Sequence, residues 1–220
     1  MKKSEVNREL LNKLFEIFKK RGFKKSKGSL SKKDGDYEFY IDYGLVDSDN
    51  TFPSSFHYGI ASVKVNNILV TIFPERGWKR GDTITVYGVK QKRLYVTGEF
   101  PVSEYDIATE KDIAIMVNDL YEHFTQVAYP FLEKLMDIHV LSEFINSQKV
   151  LNESMHLPTT LINGLIVSKL SNNSQYEQLK PKYQERIVGW PQWDNENLEK
   201  VIEFLDNHTK EELESISNQK

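Results

Sequence analysis

Residues 4–43, SEVNRELLNKLFEIFKKRGFKKSKGSLSKKDGDYEFYIDY, contain the change of period that decides the fold. Val6, Leu10, Leu14 and Ile17 recur at four- and three-residue steps, and Leu11, Phe15 and Phe18 widen the stripe. That spacing predicts an amphipathic helix over residues 4–21. Ser4 is placed to cap its start, and Gly22 stands where a left-handed cap belongs, after the cations Lys19, Lys20 and Arg21. Beyond Gly22 the period drops to two. Phe23 to Leu30 reads as a short strand with Lys24, Lys25 and Lys27 outward, and Lys33-Asp34-Gly35 as a turn. Tyr37, Phe39, Ile41 and Tyr43 then alternate with Glu38, Tyr40 and Asp42, the pattern of a half-buried strand. The two strands are expected to form a β-hairpin.

Working outward, Phe56 to Val65 reads as another strand, and Asn66-Asn67 as a turn into Ile68 to Phe73. Asp82 to Val89 and Arg93 to Phe100 make a further pair joined by Lys90-Gln91-Lys92. Four to six strands so close in sequence favour an antiparallel meander. From Thr109 the period returns to that of a helix, through Ile113, Met116, Val117, Leu120, Tyr121 and Phe124. Pro130 is expected to break or kink this run, which Phe131, Leu132, Leu135 and Met136 continue. Asp137 caps a short helix through Val140, Leu141 and Phe144, and Pro158 opens another that reaches about Ser171. Residues 176–187 and 195–207 complete the set, the latter capped by Asp194, and residues 210–220 are expected to fray. The fold class is therefore α+β: an N-terminal helix, an antiparallel sheet of four to six strands, then a C-terminal half of four to five helices. Residues 1–108 hold the helix and sheet, and 109–220 the helical part, packed with the first as one domain.

Composition sets the bounds on function. With 220 residues, 39% apolar and 28% charged, the chain has the material for a core. No apolar run approaches the ~18 residues of a membrane span. The basic first eight residues lead into no apolar signal segment. Zero cysteines exclude disulfides, thiol catalysis and thiolate metal sites, and make the cytoplasm the default compartment. Charge is unevenly spread: residues 1–33 carry twelve Lys and Arg against three Glu, about +9, so the remaining 187 residues sum to about −12.

No motif for catalysis, metal or cofactor emerges. His57, His123, His139, His156 and His208 lack H-x-x-x-H or H-E-x-x-H spacing. Asp119 and His123 lie one helical turn apart, a separation that suits a surface pair as well as a shared metal or proton. There is no G-x-S-x-G, S-x-x-K or Walker loop. Asp34, Asp36, Asp42, Asp47 and Asp49 cluster loosely around the second strand; Asp36 and Asp42 share strand parity but lie six residues apart, so no carboxylate pair is specified. Two stretches stand out as binding candidates. One is the run Lys19–Lys33, eight cations in fifteen residues with no acid, of which Lys24 and Lys25 lie on a strand. The other is the loop Glu75-Arg76-Gly77-Trp78-Lys79-Arg80-Gly81, where Trp78 stands among Arg76, Lys79 and Arg80 and suits stacking on a base or anchoring in a pocket. Gly189-Trp190-Pro191-Gln192-Trp193 reads as a rigid turn whose indoles pin the last helices to the rest of the domain.

The entry Lys19-Lys20-Arg21-Gly22-Phe23-Lys24-Lys25, a helix passing directly into strands, resembles bacterial proteins of unknown function in which a helix, G-F-K-K and strand precede a small antiparallel sheet. Val127-Ala128-Tyr129-Pro130-Phe131-Leu132-Glu133 is similar to the helix that follows that sheet. Together these cover about a fifth of the chain. Some such proteins stand beside toxins as immunity proteins, so the resemblance implies binding without enzyme chemistry, and it carries over no functional residue. The expected function is that of a bacterial macromolecule-binding protein, of immunity or regulatory type, whose partner is another protein and which uses no cofactor or membrane. The alternatives are a nucleic-acid-associated protein using residues 19–33 and 76–80, which a pI near 6.0 argues against, and an enzyme with an unrecognised site.

Overall fold

Helix α1 spans Lys3–Phe18 and buries the expected stripe, Val6, Leu10, Leu11, Leu14 and Phe18. It begins before Ser4, because the Glu5 carboxylate accepts from the Lys2 backbone N–H at 2.8 Å and fixes the first turn there. A 3₁₀ turn, Lys19–Arg21, ends on Gly22 at φ +86°. The structure, a computed structural model, describes residues 2–26, 28–46, 51–76, 84–88, 93–94, 105–154 and 157–218.

The strands are β1 (Lys24–Ser26), β2 (Ser29–Asp34), β3 (Tyr37–Leu45), β4 (Phe52–Ser62), β5 (Ile84–Gly88), β6 (Arg93–Leu94) and β7 (Tyr105–Ile107). They follow sequence order across the sheet, β1 to β6, with β7 paired to β4. The pairs β1–β2, β2–β3, β4–β7 and β5–β6 are antiparallel. This is the expected meander, with a difference at its start. Phe23 to Leu30 is not one strand: Gly28 at φ +81° turns the chain back, so that Lys24 pairs with Ser31 and Ser26 with Ser29. Tyr40, expected outward, is buried with Phe39 and Ile41 because Gly59 faces it. A Cβ on Gly59 would fall on the Tyr40 ring.

The segment read as a turn and strand after Val65 is instead helix α2, Val63–Ile72, capped by the Ser62 hydroxyl. Its buried residues Val65, Ile68, Leu69 and Ile72 keep a helical spacing that outweighs the β-branched chemistry of Val65, Ile68 and Ile72. Helix α3 (Glu110–His123) starts in the capping box of Thr109 and Asp112. It runs through a π-helical segment, Phe124–Ala128, into α4 (Tyr129–Lys134). Pro130 therefore does not break the run. The wider turn just before it, in which the Tyr129 N–H reaches the Phe124 carbonyl, takes up the ring and the missing donor.

Then come α5 (Ile138–Ile145), α6 (Gln148–Glu153), α7 (Leu157–Leu170), α8 (Tyr176–Arg186), α9 (Gln192–Asp206) and α10 (Lys210–Ser217). Asp137 caps α5 as expected, accepting from the His139 N–H at 2.8 Å. Asp194 does not cap α9. The helix starts after Pro191, whose carbonyl accepts from the Asp194 N–H at 2.9 Å, and Asp194 is buried in the first turn. The segment expected to fray is α10, which a Thr209–Glu212 capping box starts and the buried Leu213 anchors.

By packing, the chain divides into two compact units, residues 1–60 with 85–133 and residues 61–84 with 134–220. The sequence boundary at 108 is not where the packing divides, because α3 lies against α1 and β7. In the first unit Phe124 is the hub of an aromatic core, with its ring 5.2 Å from those of Phe18 and Tyr58, 5.4 Å from Tyr129 and 5.5 Å from Phe23. In the second, α7 is buried almost all round and touches α2, α5, α6, α8, α9 and α10.

Candidate binding surfaces

In the first unit the left-handed turn at Gly22 follows Lys19–Arg21 and leads the chain from α1 into β1. The Arg21 guanidinium lies 5.6 Å over the Tyr121 ring and 6.0 Å from that of Tyr129, and its Nε donates to the Tyr121 hydroxyl at 3.4 Å. Lys32 lies 5.1 Å over the other ring and donates to the Tyr129 hydroxyl at 2.8 Å. That hydrogen bond raises the Lys32 pKa, with nearby Asp34 adding to it against partial burial, so the ammonium stays charged. Lys19 pairs with Glu16, Lys32 with Asp34 at 3.4 Å, and Lys25 donates to the Asn12 amide oxygen at 2.5 Å. Lys20, Arg21, Lys24, Lys25 and Lys33 are exposed. Lys24 and Lys25 stand on β1, at one end of the strand order, where lysine also discourages edge-to-edge pairing.

Of the second sequence-derived candidate, Arg76 closes a 3₁₀ turn, Pro74–Arg76. Trp78, Lys79 and Arg80 lie outside the described residues.

Asp119 and His123 are drawn to different partners. The Asp119 carboxylate accepts from the Tyr105 hydroxyl at 2.9 Å. His123 is 6% exposed and stacks on Tyr58 at 5.7 Å, and burial pushes its pKa down to about 4. The imidazole is therefore neutral at pH 7. No group of three or more His, Asp or Glu side chains is arranged to hold a metal ion among the described residues.

In the second unit the polar side chains between α5, α7 and α8 bind one another. The Asn146 amide donates to the Ser142 carbonyl at 2.7 Å and the Ser168 hydroxyl at 2.8 Å, while accepting from the buried Tyr183 hydroxyl. Asn173 donates to the Ser142 hydroxyl at 2.9 Å. Gly164 makes room for this network, since a Cβ there would fall on the Asn146 side chain. The groove above it, about 390 Å³ and lined in part by His139, Glu143 and Gln175, thus has a floor whose hydrogen bonds are already made.

The turn between α8 and α9 departs most from expectation. Its indoles do not pin the helices. Val188 is 76% exposed, Trp190 39% and Trp193 56%. The backbone beneath them is fixed: Gly189 sits at φ +86°, the Trp190 N–H donates to the Ile187 carbonyl at 3.0 Å, and the Asn195 amide donates to the carbonyls of Trp190 and Pro191, both at 3.2 Å. On α9 the exposed Glu196, Glu199 and Glu203 follow. Sequence reading placed both Trp residues inside because they fall in a turn, where no period tells inside from outside.

No family model matches the chain, and no curated protein or solved structure matches it. No helix among the described residues is long and apolar enough to cross a membrane.

Proposed function

We propose that this is a macromolecule-binding protein of bacterial origin, without enzyme chemistry, that engages another protein in an immunity-type or regulatory role. The observation that carries the reading is the exposed apolar group Val188, Trp190 and Trp193 on a fixed turn. Tryptophan is the residue most enriched among the anchors that dominate protein interfaces, and an ordered backbone lowers the entropy lost on docking. Glu196, Glu199 and Glu203, with the exposed Lys200 among them, leave a net acidic flank that suits a partner whose apolar pocket is rimmed by lysine or arginine. Residues 19–25 and 127–133 resemble bacterial proteins of unknown function, some of which stand beside toxins as immunity proteins, and the proposal is consistent with that resemblance.

The test compares the protein with a Trp190→Ser, Trp193→Ser variant as immobilised bait in extract of cells that encode it. The expected outcome is a protein retained by the native chain and lost on the variant, whose purified form then blue-shifts the native tryptophan emission. Equal retention by both baits, with matching thermal midpoints, would remove the turn as the contact.

A further inference from the structure

We propose that the corner of the first unit formed by the Lys19–Arg21 turn, β1 and β2, beside Tyr121 and Tyr129, is a surface for the phosphate backbone of a nucleic acid. Phosphate contact needs several cations held close together with few acids among them, and Lys19 to Lys33 supplies eight in fifteen residues with none. Seven of the eight lie among the described residues, and the fold brings Arg21 and Lys32 together. Gly22 brings the turn so close to β2 that a Cβ there would stand 3.9 Å from Cε of Lys32, and Arg21 and Lys32 converge on the same Tyr129 ring. Arginine held by a tyrosine hydroxyl and ring loses less side-chain entropy on contact, and exposed lysines at positions 20, 24 and 33, with Lys25 beside Asn12, add point charges. The acids beside this corner include Glu16 and Asp34, with Glu38 opposite Lys33 and Asp42 opposite Ser29 across the β2–β3 pair, and Asp36 in the turn between those strands.

Two observations favour nucleic acid over an acidic protein. Among the described residues from 19 to 33 there is no exposed large apolar side chain, so the surface lacks the anchor that a protein partner would fill. The rings of Tyr121 and Tyr129 are engaged by Arg21 and Lys32, which leaves charge as the means of recognition and makes single and double strands equivalent. Because the whole chain carries net charge −3, binding depends on local charge such as this corner holds and is steeply lowered by salt.

Fluorescence anisotropy of a labelled oligonucleotide of mixed sequence, single-stranded and duplex, titrated with the full chain over a salt series, tests this. Both forms are expected to bind at low salt, with log K falling against log salt at a slope of about −3 to −4, the response to roughly four phosphates. Lys24→Glu with Lys25→Glu is expected to weaken binding about tenfold and to flatten the slope by about 2 while leaving the thermal midpoint unchanged. The Trp190→Ser, Trp193→Ser variant should bind the oligonucleotide as the native chain does, which separates this surface from the protein-binding turn. No anisotropy change at low salt, unaltered binding by the double lysine variant, or equal affinity for a labelled polyglutamate peptide would each overturn the proposal.

Discussion

His123 places a titratable ring where protonation opposes folding. Its pKa falls from the usual 6.5 to about 4 through burial, so between those values the unfolded chain binds the proton and the folded one does not. The stability tied to His123 is therefore complete above about pH 6.5 and is lost as pH falls toward 4, by up to about 3 kcal/mol. Burial also lowers the His57 pKa, against the opposing charge of Asp42, and its contribution has the same sign. Urea unfolding at pH 7 and pH 4.5 checks this, and a His123→Gln variant should lose much of the difference. Gly59 and Gly164 act by absence of a side chain. Gly59→Ala would drive its methyl into the Tyr40 ring, and is expected to cost about 1–3 kcal/mol or more in a thermal melt unless Tyr40 leaves its place. Neither requirement was legible in the sequence, because a glycine that yields space to a distant ring looks like any other. The same pairing explains why Tyr40, a correct alternation partner of Phe39 and Ile41, turned out buried.

At the level of elements, the long periodic helices and the β2–β3 turn were read correctly from spacing, though not the caps at Ser4 and Asp194, while α2 and α10 were missed. Val63, Val65 and Ile68 gave α2 the chemistry of a strand, and only the step from Val65 to Ile68, Leu69 and Ile72 revealed the helix. In α10 the signal was present, since Thr209-Lys210-Glu211-Glu212 is a capping box, but its terminal position outweighed it. Thr209→Ala should cost about 1 kcal/mol and Leu213→Ala about 2–5 kcal/mol in chemical denaturation, whereas a frayed end would make both silent. Pro130 shows the reverse lesson: a proline is a firm signal of a missing donor, yet the π-helical segment before it absorbs that loss without ending the helix.

For the molecule as a whole, the α+β order and the charge asymmetry were visible because both are properties of the chain before it folds. The division into units was not, since each is assembled from two separated stretches of sequence. Within the second unit, α7 is wrapped by six helices, so its amides should be the slowest there to exchange with deuterium, and those of α8 near its exposed end among the fastest. Candidate surfaces divide along the same line: the lysine run was legible because charge needs no fold to be seen, while the outward indoles depended on a turn geometry that residue types do not specify. The interleaving of the units also has a consequence for synthesis. Helix α2 leaves the ribosome well before α7, α9 and α10, the elements that cover Val65, Ile68, Leu69 and Ile72. At roughly 5–20 residues per second that apolar face waits for many seconds without its partners, as a target for chaperones and the point where a stalled chain would first aggregate.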